Sequence, residues 1–376
     1  MELDTIESAL DAIRAGELVV VVDDTDRENE GDLIMAASLA TPEKIAFMIR
    51  HTSGIICVPM PNERAEALNL EPMVANNIDP FRTAFTVTVD YRVGMTTGIS
   101  ATERTATIRA LSGGNAMPGD FIRPGHIFPL VAREGGVLAR SGHTEAGVDL
   151  ARMAGLEPAG VLAEVVNDDG TVKRLPELIA FAKEHDLRII SIEDLIAYRL
   201  RTETFLKRVS VVPTLVAGMS AEAYAYETPF DTLQQVALVI GDVQDGHKVP
   251  VRIHREQPLA DLISRVNGDA GSIGRAVQEI KARGRSGIII LVRNAAVLDA
   301  TGDGMKMPTR FGGDGGVGEG HGSAMKRMQG WREVGVGAQI LRDLGVRSIA
   351  LIATTERQYV GLGGFGVEID ETILLK

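Results

Sequence analysis

The chain has 376 residues, 45% of them hydrophobic and 24% charged, with a formal net charge of −12 and one cysteine, Cys57. This composition is typical of a globular protein with a sizeable core, and the length predicts more than one domain. The negative charge argues against a nucleic-acid-binding surface, which needs clustered Lys and Arg. A single cysteine excludes an intrachain disulfide. Because the N-terminus lacks a signal-peptide pattern and no apolar stretch approaches membrane-spanning length, we expect a cytoplasmic protein without a membrane span.

The first predicted element is an amphipathic helix. Asp4 and Glu7 have the spacing of an N-cap residue and its capping-box partner. A strand of apolar residues, 18–22, follows the helix. The apolar stripe of the helix consists of Ile6, Ala9, Leu10 and Ile13.

Helices and strands then alternate as far as about residue 200. Ser100 and Glu103 form a capping-box pattern that predicts the start of a helix. Asp169 and Gly170, between two strand-like runs, predict a two-residue type I′ hairpin turn. The alternation indicates an α/β fold built of mixed α+β layers.

The chain changes character around residues 199–213, where the sequence becomes charged and less periodic. We therefore predict two domains, 1–203 and 204–376, each a mixed β-sheet flanked by helices. Glycine occupies seven of the eleven positions 312–322. This segment lacks the strand–GxGxxG–helix setting of a dinucleotide site, so we interpret it as a surface loop.

The segment that follows the first strand is strongly acidic, reading DDTDRENEGD at residues 23–32. One interpretation is a solvated loop rich in helix caps. The other is a ligand site, because α/β proteins place such sites at strand ends. The closely spaced carboxylates of Glu28, Glu30 and Asp32 suit a hard cation such as Mg²⁺. Arg27, inside the run, can pair with a carboxylate or with a phosphorylated ligand.

A second candidate segment is RSGHTEAGVDL, residues 140–150. Arg140 and Thr144 are good phosphate donors, and the small residues Ser141 and Gly142 let a ligand approach the backbone closely. His143 can ligate a metal or transfer a proton. A helix start with a histidine facing solvent is the alternative interpretation.

Two isolated side chains complete the set of candidates. His126 stands between two prolines in IRPGHIFPL, residues 122–130, which indicates a rigid loop. Glu164 is surrounded by apolar residues on a predicted strand, where a carboxyl group should be paired or have a raised pKa. The alternatives are a structural histidine and a glutamate that faces outward. Together, the candidate groups predict Mg²⁺-assisted chemistry on a small phosphorylated metabolite.

These motifs, in this order, resemble 3,4-dihydroxy-2-butanone 4-phosphate synthase of riboflavin biosynthesis. The segments DDTDRENEGD, TTGIS, RPGHIFPL, RSGHTEAGVDL and NDDGT carry the resemblance, which runs from about residue 4 to 200. It implies a homodimer that converts D-ribulose 5-phosphate into L-3,4-dihydroxy-2-butanone 4-phosphate and formate. It also implies Mg²⁺ or Mn²⁺ and no organic cofactor.

The resemblance further implies roles for particular residues. The metal ligands would be Glu28 and His143. His126, Glu164 and Asp32 would serve in catalysis. The substrate would be contacted by Arg27, Glu28, Asp32, Arg140, Ser141, Gly142, His143 and Thr144.

The second part of the chain resembles GTP cyclohydrolase II, through QQVALVIGDVQDGHKVPVRIHRE and LRDLGVRSIALIATT. That family binds zinc through three cysteines, but Gln257 stands where the first belongs and residues 267–274 lack the other two. We therefore expect neither zinc nor cyclohydrolase activity here. The alternatives are a bifunctional enzyme and a non-catalytic protein that binds phosphorylated metabolites. We interpret His254, Glu256 and His321 as scattered surface residues, with a substitute metal site built from them as the alternative.

Overall fold

The chain divides into two compact units between Arg199 and Leu200, just before the boundary predicted at residue 203. The glycine-rich segment 312–322 and His321 lie outside the described residues. The computed structural model describes residues 3–293, 334–354 and 366–375, apart from positions 26, 230, 244, 257, 258, 260, 262, 264, 265, 268 and 285.

The first unit is a mixed seven-stranded sheet with helices, in the strand order β4-β5-β3-β6-β2-β1-β7. Neighbours β1 and β7 are parallel, as are β3 and β5, whereas β1–β2 and β2–β6 are antiparallel. Its helices are α1 (Ile6–Arg14), α2 (Pro42–His51), α3 (Asn62–Ala67), α4 (Ala101–Ser112), α5 (His143–Met153), α6 (Leu175–Glu184) and α7 (Ile192–Thr202). Its strands are β1 (Val19–Val22), β2 (Gly31–Ala36), β3 (Cys57–Met60), β4 (Val89–Tyr91), β5 (Phe121–Val131), β6 (Gly160–Glu164) and β7 (Arg188–Ser191).

The central strands explain where the acidic segment lies. Every residue of β1 and β2 is buried, so helices cover both faces of the sheet at this point. The two strands form an antiparallel pair with Val22 opposite Gly31. Residues 23–30 therefore connect the ends of two buried strands, which brings their charges to the edge of the core.

Local details of the first unit confirm one cap prediction and correct another. The capping box of Ser100 and Glu103 at the start of α4 is confirmed. The cap predicted for α1 is wrong: Thr5 is the N-cap, and its side chain accepts a hydrogen bond from Ser8 N. Asp4 instead accepts a hydrogen bond from Ile189 N at 2.9 Å, because β7 runs beside the N-terminal segment.

The hairpin predicted at Asp169 and Gly170 has a different turn. Asn167 N donates to Thr171 O at 2.7 Å, which encloses a three-residue loop, 168–170. Only Gly170 in this loop has a positive φ, 84°, whereas a type I′ turn requires positive φ at two residues. A left-handed glycine at the end of a three-residue loop is a common hairpin alternative, and the sequence pattern does not separate the two.

The second unit also holds a mixed seven-stranded sheet, in the order β14-β13-β11-β12-β10-β9-β8. A helix, Gly271–Ala282, packs on it through Ala276, Val277 and Ile280, and residues 334–343 are helical. The two sheets confirm the predicted fold class. Among the described residues, no helix has the length and apolar character needed to cross a bilayer. The strands are β8 (Lys207–Val216), β9 (Met219–Thr228), β10 (Asp231–Ile240), β11 (Val249–Arg255), β12 (Gly287–Val292), β13 (Ser348–Ala353) and β14 (Glu368–Leu374).

Candidate active site

The acidic loop between β1 and β2 is organised by Asp23. Its Oδ2 accepts hydrogen bonds from Arg27 Nη1 at 3.1 Å and from Glu28 N at 2.9 Å. Its Oδ1 accepts a hydrogen bond from Glu30 N at 2.9 Å. The loop therefore folds around this carboxylate, whose side chain is only 1% exposed.

Arg27 supplies the positive charge of the loop. Its buried guanidinium donates to Glu28 Oε2 at 2.6 Å and lies 5.0 Å from the centroid of the Phe81 ring. A guanidinium held by two carboxylates and an aromatic face is rigid. Arg27 therefore holds the Glu28 carboxylate in place at the end of β1.

His143 reaches the acidic loop from a distant segment, as the first residue of α5. The side chain is buried, and Nε2 lies 3.1 Å from Val21 O. A carbonyl oxygen only accepts, so Nε2 carries a proton and Nδ1 faces the carboxylates. Nδ1 lies 3.5 Å from Glu28 Oε2 and 4.0 Å from Asp32 Oδ1. The alternative of a histidine facing solvent is therefore wrong.

Asp23, Glu28 and His143 place one ligand atom each within 4.8 Å of one another. Within the described ranges, no other group of three His, Cys, Asp or Glu side chains meets this criterion. Glu28 and His143 are the pair that the resemblance implied, and Asp23 is an addition. Sequence reasoning missed Asp23 because the acidic residues of the run cannot be ranked without the hydrogen bonds of the loop.

Asp32 lies on β2 between the loop and Glu164. The side chain is buried, and in the part of the chain that the structure describes, Oδ1 has no hydrogen-bond partner. Glu164 is opposite Asp32 across the β2–β6 pair and accepts a hydrogen bond from Ser53 Oγ at 2.6 Å. Glu164, which is isolated among apolar residues in the sequence, therefore lies next to the acidic segment. It is half-buried and hydrogen-bonded.

The carboxyl groups of the cluster have opposite electrostatic environments. Burial disfavours the charge on Glu28, but the hydrogen bond from His143 and the charge of Arg27 outweigh it and lower the pKa of Glu28 to about 2. Burial is the main cause that raises the pKa of Asp32 to about 8, opposed by His143 and reinforced by Glu164. Two acids with divergent pKa values are typical of sites that separate a permanently charged group from a proton-exchanging one.

Arg140 and Gly142 form a packed structure of their own. Arg140 Nη1 donates to Glu145 Oε2 at 2.7 Å, and Nη2 donates to Phe81 O at 3.2 Å. A Cβ on Gly142 would lie 2.2 Å from Arg140 Nη1, so the glycine leaves room for the guanidinium. Ser141 is half-buried and Thr144 is buried at the start of α5.

His126 lies in strand β5 rather than in the predicted rigid loop. Strands β3 and β6 separate β5 from β2, so His126 and Asp32 are three strand spacings apart, roughly 14 Å. His126 is partnered by Asp90, through Nδ1 and Asp90 Oδ2 at 2.7 Å. The structure therefore does not join His126 to the cluster around His143 within one chain.

The second unit has no counterpart of this cluster among its described residues. His254 Nε2 lies 3.0 Å from Asp261 Oδ2, and its Nδ1 lies 3.1 Å from Ser272 Oγ. Glu256 pairs with Arg293 at 2.8 Å. His254 and Glu256 are thus held by separate partners.

Comparisons with known proteins agree with this division of the chain. The 3,4-dihydroxy-2-butanone 4-phosphate synthase family matches residues 7–198, and the GTP cyclohydrolase II family matches residues 207–374. The bifunctional riboflavin biosynthesis protein RIBA 1 of Arabidopsis thaliana is 45% identical over 97% of this chain and 68% of its own length.

Two solved structures extend the likeness to three dimensions. RibBX, a two-domain 3,4-dihydroxy-2-butanone 4-phosphate synthase from A. baumannii, is 36% identical with a TM-score of 0.77, covering 98% of this chain and 99% of its own. A 3,4-dihydroxy-2-butanone 4-phosphate synthase in complex with two magnesium ions is 47% identical with a TM-score of 0.52, covering 53% of this chain and 98% of its own. The chain therefore belongs to the 3,4-dihydroxy-2-butanone 4-phosphate synthase family of riboflavin biosynthesis enzymes, with its synthase domain followed by a domain of the GTP cyclohydrolase II family.

Proposed function

We propose that the first unit converts D-ribulose 5-phosphate into L-3,4-dihydroxy-2-butanone 4-phosphate and formate, with Mg²⁺ or Mn²⁺ and no organic cofactor. The observation that carries the proposal is the convergence of Glu28 and His143 with Asp23 at the end of a buried strand. Asp32 and Glu164 extend this cluster along the sheet. Family membership supports the same reaction.

The donor set fits a divalent cation. Glu28 and His143 would hold the metal, because carboxylate oxygens suit hard cations and the Nδ1 of His143 faces them. A metal-ligating histidine usually donates its other N–H to a backbone carbonyl or a carboxylate, as the Nε2 of His143 does to Val21 O. When bound, the cation stabilises negative charge that develops on the sugar oxygens.

The side chains of the chain provide the proton transfers. The reaction requires removal of a proton next to a carbonyl group, and a base works best when its pKa is near the working pH. Burial raises the pKa of Asp32 to about 8, and its Oδ1 accepts no hydrogen bond from the described residues. We therefore assign Asp32 a proton-exchanging role at Oδ1, with Glu164 beside it as a second carboxyl group.

Substrate binding is proposed for the residues around this centre. Arg27 neutralises negative charge at the acidic loop, and the start of α5 offers backbone N–H groups to an anion. Arg140 fixes the segment that leads into α5 through Glu145. His126 belongs to the proposed catalytic set, and because it lies apart from the cluster within one chain, it would serve the site of the partner subunit in a homodimer. The proposed substrate contacts are Arg27, Glu28, Asp32, Arg140, Ser141, Gly142, His143 and Thr144.

A formate assay tests the proposal. Purified protein is supplied with D-ribulose 5-phosphate and Mg²⁺, and formate is measured with and without a chelator. We expect formate release that the chelator abolishes and that added Mg²⁺ or Mn²⁺ restores. Protein that is folded by circular dichroism but releases no formate would reject the proposed reaction.

For the second unit, we propose the absence of GTP cyclohydrolase activity. The chain has one cysteine, Cys57, and it lies in β3 of the first unit, so three thiolates cannot meet in the second. Without them, no thiolate zinc site can activate water there. The likeness to a two-domain protein described as a synthase supports this proposal, whereas the likeness to a bifunctional plant protein favours the opposite.

Incubation with GTP and Zn²⁺ decides between these alternatives. We expect no diaminopyrimidine product by mass spectrometry, even at high protein concentration. Metal-dependent turnover would establish a bifunctional enzyme with a different set of zinc ligands.

We further propose a cytoplasmic homodimer, and expect light scattering to give twice the chain mass of 40.2 kDa.

A further inference from the structure

Asp90 is bound to His126 through both oxygens of its carboxylate. Asp90 Oδ1 accepts a hydrogen bond from the backbone N–H of His126 at 2.9 Å. Asp90 Oδ2 lies 2.7 Å from Nδ1 of the His126 ring. The carboxylate is therefore bidentate toward a single residue, and it fixes the backbone and the ring of that residue together.

The neighbouring backbone encloses this carboxylate. Gly98 has φ +82°, and a Cβ there would lie 2.2 Å from Asp90 Oδ2 and 2.9 Å from His126 Nδ1. A Cβ on Gly125 would lie 2.3 Å from Asp90 N. Two segments thus approach Asp90 at distances that only glycine allows. The sequence TTGIS, which the proposed chemistry leaves unexplained, contributes one of them.

In the pair of Asp90 and His126, the aspartate is buried and the histidine is partly exposed. The side chain of Asp90 is 4% exposed, whereas that of His126 is 42% exposed. Because a carboxylate oxygen accepts, Nδ1 of His126 carries the proton that points inward. In the neutral ring, Nε2 then presents its lone pair on the exposed side. The geometry selects both the rotamer and the tautomer of the histidine.

We propose that Asp90 is a positioning residue for the synthase reaction, which it serves by holding His126 with Nε2 free to accept or return a substrate proton. The inference rests on the proposed function, in which His126 is required. Asp90 does not touch the reacting atoms. Its effect passes through His126, in the manner of an acid that orients a catalytic imidazole.

The first test is Asp90→Asn, which keeps the size of the side chain but replaces one acceptor oxygen with an amide donor. We expect kcat to fall by about 10²- to 10⁴-fold, the range for loss of a positioned acid–base group. KM should change by less than about threefold, because the substrate contacts remain. A kcat within about threefold of the unaltered protein would overturn the proposal.

A second readout needs no turnover. In protein labelled with ¹⁵N-histidine, the imidazole nitrogen shifts of His126, assigned with His126→Ala, should report a neutral ring protonated at Nδ1. Asp90→Asn should move the proton toward Nε2 or leave a mixture of tautomers. An unchanged Nδ1-protonated ring in the variant would contradict the positioning role.

Gly98→Ala and Gly94→Ala form a matched pair. Both glycines have positive φ, +82° and +72°, but a Cβ on Gly94 meets no atom within 4 Å. Both variants place a side chain at positive φ, and only the first also meets the Asp90 carboxylate. We expect Gly98→Ala to reproduce the kcat loss and the tautomer change of Asp90→Asn, and Gly94→Ala to leave both near their original values. Equal effects of the two variants would assign the loss to backbone strain.

A double variant separates this inference from the proposed function. If Asp90 acts only through His126, Asp90→Asn should cost no further activity in a His126→Ala background. A full additional loss would give Asp90 a separate role. If the unaltered protein released no formate, the proposed function would fail, whereas the tautomer of His126 and its dependence on Asp90 would still be measurable.

Discussion

Each unit of the chain buries a histidine on or beside its sheet, and the two histidines have different partners. His143 in the first unit faces the carboxylates of Glu28 and Asp32, and Asp23 lies within ligand distance of the same point. His254 in the second unit is held by one carboxylate and one hydroxyl, from Asp261 and Ser272. Among the described residues, several carboxylates surround the first histidine, whereas each ring nitrogen of the second lies within hydrogen-bond distance of one side chain.

The difference shows which buried polar clusters are built for a ligand. A balanced cluster satisfies its own hydrogen bonds and needs nothing further. Over the described ranges, the carboxylates around His143 exceed the nearby cations, and Asp32 Oδ1 remains without a hydrogen bond. Buried charge of this kind is costly unless another group pairs with it, so the surplus indicates a cation and a substrate.

The largest expected effect comes from removing the proposed metal ligands. Glu28→Gln and His143→Ala should each reduce formate release to below about 1%, because even groups outside the coordination shell typically cost 10- to 100-fold. Circular dichroism should show that both variants remain folded. His254→Ala is the matched control in the second unit, and its formate release should stay within about twofold. Equal losses for both histidines would remove the distinction between the two clusters.

The buried ion pair between Arg199 and Asp149 in the first unit provides the next test. Asp149 is buried and accepts hydrogen bonds from Arg199 Nη1 at 2.7 Å and from Val137 N at 2.8 Å. Asp149 also pairs with Arg152 at 3.2 Å, whose side chain is 46% exposed. Arg199→Met removes the buried one of these two cations, and we expect a loss of about 2 kcal/mol in the free energy of unfolding. Urea denaturation measures the loss.

Arg188→Met is the control for that pair. Arg188 pairs with Asp4 at 3.2 Å with its side chain 54% exposed, so the expected cost is within about 1 kcal/mol. A large cost for the exposed pair, or none for the buried one, would contradict the assignment of Asp149 and Arg199 to structure.

Asp32→Asn should raise stability while it lowers activity. The folded-state pKa of Asp32 is about 8, above the ordinary value of 3.8. A group with a raised pKa favours folding at low pH, and this contribution is lost as pH rises from the ordinary value through the folded one. An asparagine side chain does not ionise, so the variant does not lose stability in this way as pH rises. In metal-free protein, the variant should melt a few degrees higher at pH 8, where ~1 kcal/mol corresponds to roughly 2–4 °C.

Thermal melts at two pH values check the sign of this effect. The advantage of Asp32→Asn over the unaltered protein should be larger at pH 8 than at pH 5, and formate release should fall sharply. A variant that is less stable than the unaltered protein at pH 8 would show that Asp32 is paired in the metal-free state.

The smallest expected effect concerns Glu103, an exposed carboxylate that accepts hydrogen bonds at both of its oxygens. Hydrogen bonds from Thr96 N, Ser100 Oγ and Thr96 Oγ1 lower the pKa of Glu103 to about 2. A lowered pKa contributes stability above the ordinary value of 4.5 that is lost as pH falls through the folded value. Between pH 4.5 and 2, the melting temperature of the unaltered protein should therefore fall more than that of Glu103→Gln. Parallel curves would exclude this contribution.

The sequence was informative where chemistry is local. Ser100 and Glu103 form their capping box from residues three apart, and the periodicity of α1 matches its buried stripe. The hairpin at residues 167–171 and the cap of α1 were predicted less well. In both cases two local arrangements suit the same residues, and contacts with other segments or backbone dihedrals select one.

The candidate active site also has some features that the sequence determines and others that it does not. Residue type and position after a buried strand determined that the segment 23–32 carries an excess of carboxylates, and the motifs nominated Glu28 and His143. Only the tertiary structure decided that Asp23 folds the loop around itself, that Asp32 lies opposite Glu164, and that Asp90 holds His126. The last two pairings join residues far apart in sequence, and they depend on strand register and on close approach at glycine, which the spacing of residues does not specify. The fold of the loop around Asp23 is local, but several carboxylates of the run could accept the same backbone hydrogen bonds.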